Sequence, residues 1–266
     1  MKDVLITGAG GGMGSKTADL FLARGFRVFA LDRVRCEERP GLIPVEADLT
    51  SEEGVQTAFE TVSSETPELY AIIHLAGMYL LDSLVELSPE SFEQIFQVNL
   101  GIACRVNRVF LPLLTPGARI IHVTSELAVR DPLPFTGLYG ITKTALDKYA
   151  YSLRMELQLL GISVSVLRAG AVDTGMIDVS LRELDGFCRN TTHYSCNATR
   201  FRNIVERVET RKIVPEKVAD KIYGIASKKR PGFAFSINRN PLLILLDKLP
   251  KRLRFFAIRK VLESKK

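Results

Sequence analysis

The sequence predicts an α/β fold, a doubly wound parallel sheet of about seven strands with helices on both faces, followed by a C-terminal helical extension. Three observations carry this reading. Short apolar, β-branched runs alternate with longer stretches of helical periodicity, the pattern of successive βαβ units. The first run, Asp3 to Thr7, breaks straight into a glycine cluster and then a helix-like stretch. Residues 241–266 then change character and become dense in both apolar and basic side chains.

The elements follow in chain order. Strands are expected near 3–7, 27–32, 43–47, 70–75, 118–124, 162–167 and 232–236, and helices near 12–24, 51–64, 89–113, 137–160 and 215–228. Residues 1–240 are read as one domain, with residues 175–212 as the segment where substrate identity should lie, and 241–266 as a basic, apolar tail. In the tail Asn240-Pro241 reads as a cap and first helical turn, and Pro250 separates two short helices.

Composition narrows the class. About a quarter of the 266 residues are charged and 46% are apolar, as in an ordinary globular chain with ample core. No apolar run reaches membrane-spanning length. Met1-Lys2 leads directly into the first strand, so no signal peptide is expected and the protein is expected in the cytoplasm. The four cysteines form no disulfide framework, which fits a reducing compartment. Cys188, His193 and Cys196 are irregularly spaced, and no metal site is expected.

The glycine cluster points to a dinucleotide. Gly8, Gly10, Gly11, Gly12, Met13 and Gly14 lie between the first strand and the first helix. Glycine permits a tight turn and a close approach of backbone to pyrophosphate at a helix N-terminus. The second strand ends on Asp32, about 20 residues on, where a carboxylate accepts from ribose hydroxyls. That acid favours NAD. Arg33 beside it can pair with a phosphate, so NADP is the alternative.

Proton chemistry is encoded further along. Tyr139 and Lys143 are four residues apart on an expected helix and share a face. A free tyrosine titrates near 10, and the lysine charge is expected to lower that value. Ser125, just upstream, can hold a substrate oxygen beside the phenol. Such a trio suits proton transfer at an alcohol or carbonyl oxygen.

With Thr7-Gly8-x3-Gly12-x-Gly14, Ser125 and Tyr139-x3-Lys143 in this order, the chain resembles the short-chain dehydrogenase/reductase family, from about residue 2 to about residue 236. The resemblance implies a Rossmann-type sheet and an NAD(P)-dependent oxidoreductase. In that pattern Tyr139 is the acid or base, Lys143 lowers its pKa and holds the nicotinamide ribose, Ser125 orients the substrate oxygen, and Asn99 fixes a relay water. Asp48-Leu49-Thr50 resembles the adenine-contacting segment. His74-Leu75-Ala76-Gly77 stands where the family has Asn-Asn-Ala-Gly, so Ala76 and Gly77 are retained and the two asparagines are not. Ala169-Gly170-Ala171-Val172-Asp173-Thr174 resembles the Pro-Gly-x-x-x-Thr clasp of the nicotinamide without its proline, keeping Gly170, Val172 and Thr174 as cofactor contacts. Ser125 lies 14 residues before Tyr139, one more than is common, and the loop with Pro132, Pro134 and Gly137 is expected to absorb the extra residue. A homodimer or homotetramer is implied by resemblance alone.

The substrate is expected to be lipophilic. Met78, Tyr79, Leu80, Leu81, Leu133, Phe135, Met176, Ile177, Val179, Leu181, Leu184 and Phe187 surround the catalytic motifs in sequence and suggest an apolar pocket. A hydroxysteroid, bile acid, retinoid or long-chain alcohol, or the matching ketone, would fit. A reductase of small carbonyls using NADPH, or a silent dinucleotide-binding sensor or scaffold, are the alternatives. The tail holds eight basic and two acidic residues, which accounts for the whole net charge of +6. It is expected either to lie on an anionic membrane surface or to pack over the cleft or a neighbouring subunit. Basic charge alone is unspecific, and no nucleic-acid partner is expected.

Overall fold

A computed structural model describes residues 1–209 and 211–263, with the side chains of Ile177 and residues 206–209 outside the description. The expected contributions of Ile177 to the pocket and of residues 264–266 to the tail therefore lie outside the described residues. Seven parallel strands form one sheet in the order β3-β2-β1-β4-β5-β6-β7. They are β1 (Lys2–Thr7), β2 (Phe26–Asp32), β3 (Leu42–Glu46), β4 (Ala71–His74), β5 (Arg119–Ser125), β6 (Ser163–Ala169) and β7 (Ala234–Ile237). The order reverses between β1 and β4, and the crevice at the C-terminal ends of those strands is where such sheets bind ligands.

Strand residues point alternately to two covered faces, so the strands read as continuous apolar runs. On one face Leu5, Phe29 and Ile72 pack with α2 (Glu52–Glu65), α4 (Ile102–Val109) and α5 (Gly137–Leu157). On the other Val4, Ile6 and Ile73 pack with α1 (Gly12–Ala23) and α8 (Pro215–Ala226). Serine side chains set two of the helix starts: Ser51 accepts from Gly54 N at 3.0 Å, and Ser88 accepts from Ser91 N at 3.1 Å.

One expectation changes in detail. The helix expected over 89–113 is α3 (Pro89–Phe96), a π-helical turn over Gln97–Gly101, and α4. Such turns insert one residue and recur at functional sites. The segment 175–212, which in the resembled family is a substrate lid, carries α6 (Gly175–Asn190) and α7 (Ser195–Glu209). Helix α6 begins with the Thr174 hydroxyl accepting from Met176 N at 3.4 Å, a cap the sequence reading did not assign. The tail forms α9 (Pro241–Asp247) and α10 (Lys251–Leu262) either side of Pro250, with Asn240 Oδ1 capping Leu242 N at 2.9 Å.

Candidate active site

The loop after β1 is built for close backbone contact. Gly8 has φ +70°, and a β-carbon there would stand 2.6 Å from Ala76 N. One on Gly14 would stand 2.0 Å from Gly8 O. Gly8 excludes a side chain because the loop packs against the turn Ala76-Gly77 after β4, and Gly14 because the helix start packs against the loop's own backbone at Gly8 and Ala9. Helix α1 starts with no side-chain cap and no acid in its first turn, which leaves its N-terminal amides for an anion. Gly12 abuts the clasp, since a β-carbon there would lie 2.9 Å from Thr174 Cγ2.

Gly10 N donates to Asp32 Oδ2 at 2.9 Å, which places the terminal acid of β2 at the glycine loop. Arg33 follows it exposed to solvent. Asp48 Oδ1 accepts from Thr50 Oγ1 at 2.6 Å and Thr50 N at 2.9 Å, and these bonds hold its carboxyl below the usual range. Leu49, expected as a cofactor contact, has its side chain buried in the core with Val45 and Val55; only its backbone is left for that role.

Ser125 ends β5, and α5 presents Tyr139 and Lys143. The Ser125 hydroxyl bonds the Tyr139 phenol and accepts from Leu127 N at 3.2 Å. Asp147, two turns beyond Tyr139, is buried and bonds Arg168 of β6 at 2.9 and 2.8 Å and Thr124 of β5 at 3.4 Å, which fixes α5 to the sheet. The expected lowering of the Tyr139 pKa by Lys143 is not what the chain produces. Burial pushes the phenol up to about 12, opposed only by the Ser125 bond. Lys143 is itself buried and is pushed down to about 8. Its Nζ lies 5.7 Å from the Tyr139 ring centroid, and desolvation outweighs the attraction between them. The packing of Tyr139 against Tyr79, Ile95 and Leu138 causes that desolvation.

Asn99 sits in the π-helical turn and is 1% exposed. Its side chain accepts from Met78 N at 2.8 Å and donates to Met78 O and Thr142 Oγ1, each at 3.0 Å. The Asn99 side chain thus clamps the chain after Gly77. A β-carbon on Gly77 would lie 3.2 Å from both Asn99 Oδ1 and Lys143 Nζ, so this glycine gives the lysine its room.

The replaced asparagines are accounted for. His74 Nε2 lies 2.8 Å from Asn107 Oδ1, and its ring stacks on His122 at 4.5 Å. Asn107 Nδ2 also meets His122 Nε2 at 3.4 Å and Tyr149 OH at 3.2 Å. Burial pushes His74 down to about 4 and His122 well below its usual value, so both rings are neutral. In the clasp Ala169 takes the proline position and pairs with Ile237 of β7. Gly170 is needed because a β-carbon would collide with Asn238 O at 1.9 Å. Val172 pairs with Ile213. Between Ser125 and Tyr139 the chain forms a 3-10 turn over Glu126–Val129, and Phe135 adopts φ +63°.

A cavity of about 280 Å³ opens at Ser125 and Tyr139. Met13, Val172 and Thr174 bound it on the glycine-loop side, and Tyr79, Leu127 and Met176 on another. Much of the remaining wall is unexpected: Asn238, Asn240, Pro241 and Leu243 bring the start of the tail into the cavity. No short sequence window signalled this. Several residues expected in the pocket are core instead. Leu81, Leu184 and Phe187 pack with Phe201 and Phe135 in a cluster between α6 and α7, and Leu133 lines a separate small recess with Arg130 and Arg254.

The tail and lid are held by polar contacts that sequence reading missed. Glu126 Oε2 accepts from Asn240 N at 2.8 Å and Arg130 Nη2 at 3.4 Å. Arg130 also pairs with Asp247, and Arg254 bonds Asp131 at 2.6 Å and Asp247 O at 2.8 Å. Asn197 of α7 donates to Leu262 O at 2.7 Å, so α10 crosses the lid. Glu86 accepts from Thr191 Oγ1, Thr192 N and Oγ1 and His193 N at 2.7–2.9 Å. These bonds hold its carboxyl down at about 2 and fix the turn between α6 and α7. Among the described residues no group of three or more His, Cys, Asp or Glu is placed to hold a metal ion.

The profile of the short chain dehydrogenase family matches residues 2–184. The chain is 29% identical over 266 residues to a 3-ketodihydrosphingosine reductase of Bacteroides thetaiotaomicron, covering 96% of each chain. Among solved structures it is similar to 3-ketoacyl-(acyl-carrier-protein) reductase from Brucella melitensis complexed with NADH, with TM-score 0.73, 22% identity and coverage of 89% of this chain and 96% of that one. It is likewise similar to the actinorhodin polyketide ketoreductase with NADPH, with TM-score 0.73, 20% identity and coverage of 89% and 95%.

Proposed function

Because this chain belongs to the short-chain dehydrogenase family, and is thus an oxidoreductase acting on CH–OH groups with a nicotinamide dinucleotide, we propose that it interconverts a lipophilic secondary alcohol and its ketone, of the long-chain type. The observation that carries this reading is the cavity at Ser125 and Tyr139, walled by Tyr79, Leu127, Met176, Pro241 and Leu243. At about 280 Å³ it is at the small end of ligand sites and suits the reacting end of a longer molecule. The full-length relative that reduces 3-ketodihydrosphingosine favours a long-chain ketone over a steroid, bile acid or retinoid.

In this reading the glycine loop, Asp32, the Ala76-Gly77 turn and the clasp from Gly170 to Thr174 hold the dinucleotide. The exclusion of side chains at Gly8, Gly12 and Gly14 fits such a ligand. When bound, the cofactor supplies or accepts the hydride. Ser125 and the Tyr139 phenol together fix the substrate oxygen. With its pKa pushed up to about 12, Tyr139 stays protonated at neutral pH, ready to donate to a ketone oxygen as it becomes an alkoxide. Lys143, in its Gly77 niche, holds positive charge beside that step. Asp32 at the loop favours NAD over NADP. A spectrophotometric panel tests the substrate class, pairing long-chain 3-ketones, hydroxysteroids, bile acids, retinal and short carbonyls with NADH or NADPH. Turnover confined to short carbonyls would refute the lipophilic assignment.

The tail supplies a second reading, peripheral contact with an anionic membrane. Its support is an outer face where Leu242, Leu245, Leu253, Phe255 and Phe256 are all more than half exposed, beside Lys248, Lys251, Arg252, Arg259 and Lys260. Exposed apolar clusters rimmed by basic residues are the mark of interfacial helices. No helix among the described residues is long and apolar enough to cross a membrane. Flotation with anionic vesicles at low salt, comparing the full chain with a Phe255→Ser/Phe256→Ser variant, decides it; equal recovery of both would remove the idea.

A further inference from the structure

Two charged side chains at the catalytic cavity take no part in the proton chemistry. Arg211 and Arg239 both line it, and both are exposed at its rim. Among the described residues neither guanidinium has an acid or another hydrogen-bond partner. Arg130 and Arg254, which anchor the tail, are by contrast paired with Asp247 and Asp131. The one carboxylate in the cavity wall, Glu126, is committed to Asn240 N and Arg130. Asp173, beside the clasp threonine, is taken by Lys212 at 2.8 Å. The two rim charges are therefore uncompensated.

The fold brings these arginines to one rim from two separate segments, and Asn238 is the tie. Its Nδ2 donates to Arg211 O at 2.7 Å and to Ala171 O at 2.8 Å, and Arg239 is the next residue along the chain. Asn238 adopts φ +54°, a left-handed conformation uncommon for a residue with a side chain. Its carbonyl oxygen is admitted only because Gly170 has no β-carbon. Ile213 holds the Arg211 segment as well, donating from N to Ala171 O at 3.2 Å and accepting from Asp173 N at 2.8 Å. A non-glycine residue kept in that conformation by its surroundings is a pointer to function.

Two like charges held on one rim repel one another, and an anion there relieves the repulsion. Each guanidinium offers a planar fork of donors that matches phosphate or carboxylate oxygens. The phosphates of a dinucleotide have the uncapped amides at the start of α1, which leaves the rim pair for the substrate. A cavity of about 280 Å³ takes the reacting end of a long molecule, whose outer part must leave past the rim. We propose that Arg211 and Arg239 form a recognition site for an anionic group, a phosphate or a carboxylate, that the substrate carries outside its reacting end. This rests on the lipophilic ketone reading and adds an anionic end to that molecule.

The test uses the full-length protein and three matched probe series: long-chain keto alcohols with a free terminal hydroxyl, their phosphate monoesters, and the corresponding keto acids. Each series covers several spacings between ketone and terminus. In the wild type at low salt, kcat/KM for the best anionic probe should exceed that of its neutral partner by about tenfold or more, the scale of one hydrogen bond to a charged group. The two anionic series show which group is read. An Arg211→Gln/Arg239→Gln double variant should bring that ratio close to unity. A wild type indifferent to terminal charge at every spacing, or a variant that loses charged and neutral probes in the same proportion, overturns the proposal. So does a variant whose only defect is weaker NADH binding by fluorescence titration, which would give the pair to the cofactor. A variant whose only defect is weaker flotation with anionic vesicles overturns it too, giving the pair to a lipid surface. Calorimetry with a long-chain alkyl phosphate and the parent alcohol separates this claim from the function reading. Phosphate-dependent binding that the double variant abolishes upholds the site even where no ketone turns over, an outcome that sinks the ketone chemistry.

Discussion

Asn240 lies 114 positions beyond Glu126, yet its backbone amide donates to that buried carboxylate at 2.8 Å. This bond, with the Arg130 to Asp247 pair, makes the tail a wall of the catalytic cavity. Asp247→Ala would strip Arg130, whose side chain is 4% exposed, of one of its two carboxylates. Breaking a buried pair is costly, but Asp247 is partly exposed, so a loss of about 1–3 kcal/mol is expected. Chemical denaturation measures it, and limited proteolysis should show faster cleavage within 241–262. A variant as stable and as resistant as the wild type would contradict the anchoring role.

Tyr139→Phe removes the only proposed proton donor while keeping the ring that packs on Tyr79. Turnover should fall by about 100- to 10,000-fold, with dinucleotide affinity, read by fluorescence titration, close to that of the wild type. Near-normal turnover would refute the assignment of Tyr139.

Asp32→Ala tests cofactor choice. The carboxylate beside Gly10 would repel a 2′-phosphate, and Arg33 would attract one once the acid is gone. The ratio of kcat/KM with NADPH to that with NADH should rise by about tenfold or more, equivalent to about 1.4 kcal/mol. An unmoved ratio would place the discrimination elsewhere.

Acid stability reports on the stacked histidines. A histidine in the unfolded chain titrates near 6.5, whereas burial holds His74 neutral in the fold until about pH 4. The unfolded chain therefore binds more protons between these values. Stability is complete above about pH 6.5 and is lost as pH falls from there toward 4, by about 3 kcal/mol for His74. His122 is shifted the same way and adds to the slope. Denaturation midpoints at pH 7, 6 and 5 should show the decline, and His74→Asn should flatten it. An unchanged slope in that variant would assign the acid sensitivity to other groups.

Much of the site was legible because it depends on short windows. The glycine cluster stands out as a motif straight after the first strand, although only Gly14 answers a demand set inside the loop while Gly8 and Gly12 make room for Ala76 and Thr174, and Tyr139 and Lys143 share a face through helical spacing alone. Leu81, Leu184 and Phe187 were harder to place, because an apolar residue near a motif can face the core or the cavity, and here it faces the core. The side-chain partners of Asn99 were not legible, since its bonds to Met78 and Thr142 span 21 and 43 positions.

The sequence by itself determined the alternation of strands and helices, the dinucleotide loop, the order of Ser125, Tyr139 and Lys143, and the two-helix tail broken at Pro250. Each of these follows from local periodicity, backbone restriction or spacing. Only the tertiary structure decided that burial outweighs the lysine charge at Tyr139, that Glu86 ties the lid, and that residues 238–243 wall the cavity beside Glu126. Those outcomes depend on desolvation and on hydrogen bonds between segments up to more than a hundred residues apart, which no local pattern encodes.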